Sequence, residues 1–312
     1  MTKPLVANGY LVSHARTIRS NRLDDIAVTS LKTGDQAILP FWLENATEIR
    51  LESAGVTPGG HILLAGSYLR TSEDAYGVNF VSEVDLTGKI VATHDLREYT
   101  PERICSASDG TFWTFGQVWP MEDQEQDYSM LRRYSSSGAL EHEYLPRATL
   151  GVHQPLNYHS QGAAPGGSPA VNQVYLACGD NSVAAYVGDG GPEFTWIEVN
   201  FRSGNSQTRS VARVRGLIVT GLALFSEHIA YASVAGRRFY QLIQGQGDSA
   251  GWVPISQPEA TPPGPGATPA NTDSSWLLLG RDGPDLVHVQ VGTQLSSAPV
   301  LYWSRPGGST AK

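Results

Sequence analysis

Two histidines, His153 and His159, with Asn157 and Tyr158 between them, are the side chains of this chain best suited to titrating chemistry. Imidazole changes charge near neutrality, so a converging pair could hold a metal or move a proton. Their spacing matches neither one face of a helix nor a zinc motif, and two separate surface histidines are the simpler outcome. His14, His61, His94, His142, His228 and His288 fall in or beside strand-like stretches and are expected to be structural. No nucleophile signature accompanies them: G-x-S-x-G, H-E-x-x-H and G-x-x-x-x-G-K-[ST] are all absent. The glycines of Gly188–Gly191 open no helix that could cradle a phosphate.

The second candidate chemistry is binding. Acids (Glu73, Asp74, Glu122, Asp123, Glu125, Asp127, Asp180, Asp189) and aromatics (Tyr68, Tyr76, Trp119, Tyr128, Tyr186) share several stretches that read as loops. Rings with polar tips on exposed loops mark contact surfaces, unless they fold back as packing. The run Glu122–Asp127 lacks the spacing of an EF-hand loop, so it is either a solvated loop or a surface for a cation or basic partner.

These side chains need a frame. An apolar run bounded by glycines recurs at intervals of about fifty residues, a period that marks repeat architectures. It reads NGYLVSH from Asn8, GGHILLAG from Gly59, DGTFWTFG from Asp109, NQVYLACG from Asn172, EHIAYASVAG from Glu227 and SSWLLLG from Ser274. Alternating β-rich segments follow, split by a turn glycine at Gly34, Gly88, Gly138 and Gly204, which is a hairpin signal. With an inner strand placed before the phrase, as in EIRLESAGV and ERICSASDG, each repeat has four strands. The fold expected is all-β, a β-propeller of about six four-stranded blades in a single domain over 1–312. The blades fall roughly at 1–45, 46–98, 99–147, 148–214, 215–260 and 261–312. The phrase alignment makes Gly66, Gly116, Gly179 and Gly280 equivalent.

In such a ring the loops between second and third strands, and those between blades, share one face. By this reading they are 67–77, 117–127, 180–193 and the long connection 147–169. Ligand contact is therefore expected at Trp119, Tyr76, Tyr186 and His153, joined by His159, Asn157 and Asp180. A Pro/Gly-rich stretch, 257–271, reads as an exposed linker.

The blade-length period and the glycine-bounded phrase make the chain resemble six-bladed propellers of the broad NHL-repeat and SMP-30/gluconolactonase-like type. The resemblance covers almost the whole chain and concerns the fold. It implies a possible divalent cation such as Ca²⁺, but the acidic and amide ligands of the lactonases have no residue-by-residue match, so their activity does not follow.

Composition narrows the partners. A net charge of −8 with no Lys/Arg cluster disfavours nucleic acid. No apolar stretch is long enough to span a bilayer. The beginning, MTKPLVANGYLV, has no signal-peptide profile, which points to a cytoplasmic protein, or to an exported one if a leader has been removed. Cys105 and Cys178 lie in segments assigned to neighbouring inner strands. They are either buried free thiols or one disulfide, the latter implying an oxidising compartment.

The function expected is non-enzymatic recognition by a monomer presenting an acidic, aromatic loop face to a protein, peptide or saccharide. The alternative is a metal-dependent hydrolase or lyase, which needs several ligands from different blades. The inner strands offer Glu48, Glu52, Glu102 and Glu227, a thin supply.

Overall fold

The structure, a computed structural model, describes residues 4–14, 26–71, 77–118, 127–150, 173–188, 193–212, 219–234, 238–244, 249–255, 275–291 and 301–306. Its strands form successive antiparallel units in which sequence neighbours pair. The first unit holds β1 (Leu5–Ala7), β2 (Tyr10–His14), β3 (Ile26–Ser30) and β4 (Gln36–Leu39). The second holds β5 (Glu48–Val56), β6 (Ile62–Leu69), β7 (Val78–Val84) and β8 (Ile90–Arg97). The third holds β9 (Tyr99–Ser106), β10 (Phe112–Val118), β11 (Ser129–Tyr134) and β12 (Leu140–Pro146). The fourth holds β13 (Gln173–Cys178), β14 (Ser182–Gly188), β15 (Glu193–Asn200) and β16 (Ser206–Ala212). The fifth holds β17 (Val219–Ser226), β18 (Ile229–Val234), β19 (Arg238–Gln244) and β20 (Ser249–Ile255). Of the sixth, β21 (Ser275–Asp282), β22 (Asp285–Val291) and β23 (Leu301–Ser304) are described. The helix among the described residues is one 3₁₀ turn at Arg147–Leu150.

The first strand of each unit is innermost. β1, β5, β9, β13, β17 and β21 touch in that cyclic order, and β1 closes the ring by pairing in parallel with β21, Val6 opposite Gly280. Antiparallel blades around a ring of first strands make a β-propeller, as expected from the period.

The blades need one another because their apolar faces are buried only at the seams. Phe41, Leu64 and Phe80 fill the first seam. Leu63, Ile104 and Phe112 fill the second, and Trp113, Phe115 and Ile197 the third. Tyr186, Trp196 and Leu224 fill the fourth, Tyr231, Leu278 and Tyr302 the fifth, and Val6, Leu279 and Val287 the sixth. The turn glycines read from the sequence hold: Gly34, Gly88, Gly138 and Gly204 join third to fourth strands with φ of +77°, +87°, +81° and +72°.

The recurring phrase does not occupy one place. GGHILLAG and DGTFWTFG supply second strands, β6 and β10, whereas NQVYLACG and SSWLLLG supply first strands, β13 and β21. The four glycines therefore split into two kinds. A Cβ on Gly66 or Gly116 would stand 2.0 Å from Arg50 O or 2.1 Å from Thr100 O, both on the first strand of the same blade. On Gly179 or Gly280 it would stand 2.9 Å from Phe225 O or 2.1 Å from Val6 O, on the first strand of the next blade. A backbone crossing close to another backbone demands glycine in either setting, so the local sequence is the same.

Cys105 of β9 and Cys178 of β13 are joined in a disulfide, with Cα atoms 5.8 Å apart across adjacent inner strands. This overturns the free-thiol alternative: 73 residues separate the cysteines in sequence, and the ring makes them neighbours.

Candidate functional site

Strand direction gives the ring two ends. At the turn end lie the tight turns between first and second and between third and fourth strands. At the loop end β6, β10 and β12 finish, at Leu69, Val118 and Pro146. Each end has one feature that packing alone does not explain.

At the turn end the seam between second and third blades opens into a cleft of ≈ 440 Å³, walled by Leu63 and Phe112 and lined by His61, Glu83, His94, Ser108 and Asp109 among others. His61 precedes β6, its backbone N–H donating to Thr57 Oγ1 at 3.0 Å. Its Nδ1 is 2.5 Å from Glu83 Oε1, and the register that sets Leu63 opposite Glu83 brings the two together. His94 stacks on Phe112 across the seam, ring centroids 6.1 Å apart. Burial lowers the His94 pKa, with the Glu83 carboxylate opposing, so the ring is neutral at pH 7. Asp109 is committed on both oxygens: Thr111 donates its N–H and hydroxyl to Oδ1 at 3.0 and 2.6 Å, and Arg133 donates to Oδ2 at 3.0 Å.

Nearer the axis, Glu52 and Glu102 hold the same position in adjacent inner strands. Each is the residue the ladder skips, opposite the close-crossing Gly66 and Gly116. Glu52 pairs with Arg50 at 2.6 Å. Glu102 is only 5% exposed, and its Oε2 has no hydrogen-bond partner among the described residues. Burial pushes its carboxyl well above the usual range, Arg103 opposes, and Glu52 adds to the rise. Arg103 donates to Val174 O at 3.1 Å and to Glu102 O at 2.7 Å, bracing blade three against blade four. Glu102 also lies within electrostatic reach of Tyr128, beside the loop-end start of β11. Among the described residues no three His, Cys, Asp or Glu side chains converge as a metal would need.

Five of the residues expected to contact ligand, Trp119, Tyr76, His153, His159 and Asn157, lie outside the described residues. Two others need correction. Tyr186 is not on a loop: it sits in the middle of β14, is 0% exposed, and stacks on Phe194 at 4.2 Å. The small residues around it have the look of a loop, but SVAAYVG is a strand buried on both faces. Asp180 is exposed but at the turn end, opposite the finish of β10 and β12, because NQVYLAC is a first strand. Its carboxylate binds Arg281 of the sixth blade at 2.5 Å, its N–H donates to Phe225 O at 2.7 Å, and its carbonyl accepts from Ser108 at 2.9 Å. Asp180 thus ties blades three to six together.

In the sequence His61 reads as structural, and Glu83 carries no signal of its own. Their pairing follows from hairpin register across 22 residues, visible once the turn glycines are used to align the strands. Glu102 belongs in the sequence to a general supply of inner-strand carboxylates. Its isolation depends on what the neighbouring blades leave uncovered.

No protein-family model matches this chain, and no curated protein sequence matches it significantly. Among solved structures it is similar to YCF48 bound to a D1 peptide, with a TM-score of 0.51 and 10% identity over 98% of this chain and 78% of that one. It is similar to a prolyl endopeptidase, with a TM-score of 0.46 and 13% identity over 98% of this chain; it spans 43% of that protein's length. The periplasmic gluconolactonase PpgL of Pseudomonas aeruginosa gives 0.45 and 12% identity over 94% of this chain and 81% of that one. At such identities the likeness is one of fold: the chain is a β-propeller.

Proposed function

We propose that this propeller is a recognition module that holds a protein, peptide or saccharide at its loop end. The observation that carries the reading is Glu102. A buried polar atom without a partner costs about 1–3 kcal/mol, and a native fold keeps one where a ligand, ion or water supplies the missing bond. Glu102 lies within electrostatic reach of Tyr128, and in sequence the segments that follow β6, β10 and β12 carry Tyr76, Trp119, His153, Asn157 and His159. Aromatic surface around a few polar groups is the usual make-up of a binding site. A propeller of similar fold holds a peptide in the YCF48 complex.

The test is a screen of peptide and glycan arrays with the wild-type chain, repeated with Trp119→Ala, Tyr76→Ala and Glu102→Gln. The reading expects each variant to lose at least tenfold in affinity for the ligand found, with no fall in melting temperature. Wild-type affinity in all three would refute it.

A metal-dependent hydrolase is the second reading, favoured by the matched placement of Glu52 and Glu102. Among the described residues the donors do not complete a site: Glu52 and Glu102 are two carboxylates, one already paired with Arg50, where about three or four ligands are needed. Metal content of the purified protein separates the two readings.

A further inference from the structure

The connection from the first blade to the second carries Asn45-Ala46-Thr47, the one Asn-x-Ser/Thr triplet of the chain. A triplet of this kind, with a middle residue other than proline, is the acceptor sequence for an N-linked glycan. Whether it can serve depends on where the fold leaves its side chains. Between the end of β4 and the start of β5, Leu43 and Ala46 are anchored in the first seam, 6% and 7% exposed, and the Ala46 N–H donates to Leu43 O at 3.1 Å. That bond closes a tight turn with Glu44 and Asn45 at its centre. With both ends of the turn held in the core, the central pair is left outside, and both residues are exposed. Asn45 takes a φ of +64°, which asparagine tolerates better than most residues.

The turn uses the backbone of Asn45 and leaves its amide group unused. Asn8, also left-handed at φ +46°, commits its side-chain amide to Val56 O at 2.7 Å. Asn79 donates to Arg97 O at 2.8 Å, and Asn200 to Glu227 Oε2 at 3.1 Å. The side chain of Asn45 makes no hydrogen bond among the described residues, so a bulky substituent on its Nδ2 displaces nothing in the fold. The second observation concerns the compartment. Disulfides such as Cys105–Cys178 form and persist in an oxidising lumen or outside the cell, the route on which N-glycans are added. We propose that Asn45 is an N-glycosylation site. In the transfer Asn45 Nδ2 bonds to the anomeric carbon of a polyprenyl-pyrophosphate-linked oligosaccharide. The carbon–oxygen bond to the pyrophosphate breaks, the lipid pyrophosphate leaves with the electron pair, and Nδ2 gives up one proton. Thr47, the residue that completes the triplet, donates its hydroxyl to Leu69 O at 3.2 Å in the closed ring, so transfer precedes closure of the second blade. The Thr47 N–H also donates to Leu69 O, at 2.8 Å, where β6 finishes. The glycan therefore stands at the loop end, between the first and second blades, whatever that end binds.

The experiment is secretion of the full chain from a eukaryotic host behind a cleavable leader. It is read by gel mobility before and after peptide-N-glycosidase, and by mass spectrometry of the peptide that contains Asn45. The wild type is expected to carry one glycan, at Asn45, and to lose its mobility shift on enzymatic release. Asn45→Gln and Thr47→Ala should each abolish the shift, and Thr47→Ser should keep it. Transfer acts on the chain before it folds, so a variant that misfolds still gives a readable result. Because the amide points away from the core, the glycosylated protein should melt no lower than the enzymatically deglycosylated protein. An unmodified wild type, a shift that persists in Asn45→Gln, or a glycosylated protein that melts well below its deglycosylated form would each overturn the assignment.

Discussion

Replacing Gly116 with alanine tests the backbone crossing that shapes the inner ring. The Cβ would stand 2.1 Å from Thr100 O, about 0.9 Å inside the 3.0 Å limit that real Cβ atoms respect, and 2.9 Å from the Tyr99 ring. Neither obstacle is a flexible chain end. Thr100 O belongs to the inner strand, and Tyr99 is buried with its phenol donating to Met130 O at 2.9 Å. Relief therefore needs a main-chain shift of the bulge that carries Glu102, at a cost of about 3 kcal/mol or more, the range of overpacking with backbone displacement. Gly110→Ala is the control: its φ is +84° with nothing within 4 Å of the added Cβ, so only the left-handed penalty applies. That penalty is about 1–2 kcal/mol. Urea unfolding of both variants, with equal slopes, gives the two losses. If Gly110→Ala proves as damaging as Gly116→Ala, the close crossing is not what demands glycine, and the account of the bulge fails.

Four further outcomes follow. Tyr186→Ala should cost about 3–5 kcal/mol as a buried aromatic truncation, while Tyr186→Phe should cost about 1 kcal/mol for the lost acceptor of Trp252 Nε1–H, 2.9 Å away; a Tyr186→Ala variant of wild-type stability in urea would contradict its burial. Cys105→Ser with Cys178→Ser should lose about 4 kcal/mol by the chain-entropy model for a bridge spanning 73 residues, and the native protein should show no reactive thiol before reduction and two after. His288 is pushed down to about 4 by burial. Its neutral form is what the fold accepts, so the stability it confers is complete above the unfolded pKa near 6.5 and is lost as pH falls toward about 4. The loss amounts to about 3 kcal/mol, and His288→Gln should flatten that part of the pH–stability curve; an unchanged curve would sink the idea. Glu102 has the opposite sign. Its folded pKa is raised, so ionisation in the unfolded chain destabilises the fold as pH rises past the ordinary carboxyl range. Glu102→Gln should thus be more stable than wild type at pH 7 in urea unfolding, and a loss of stability in that variant would mean that the buried carboxyl is satisfied in the fold.

The β-propeller was legible in the chain because turn chemistry is local. Gly88 or Gly138 must take a left-handed conformation whatever surrounds it, and β-rich segments on either side of such a glycine leave one short-range option, a hairpin. Repetition at blade length then implies a ring, since no single blade buries its own faces. What could not be read is which strand a segment becomes. NQVYLACG and GGHILLAG look alike because both pass a second backbone at van der Waals distance, yet one crossing lies within a blade and the other between blades. That ambiguity moved Asp180 to the opposite end and Tyr186 from a loop into a buried strand. Pairings made across seams were equally hidden. Cys105 meets Cys178, His94 meets Phe112, and Glu102 Oε2 is left without a hydrogen-bond partner among the described residues because of how adjacent blades dock. Local conformation is set by neighbours in sequence; burial, charge pairing and isolation are set by neighbours in space, and in a ring these come from different repeats.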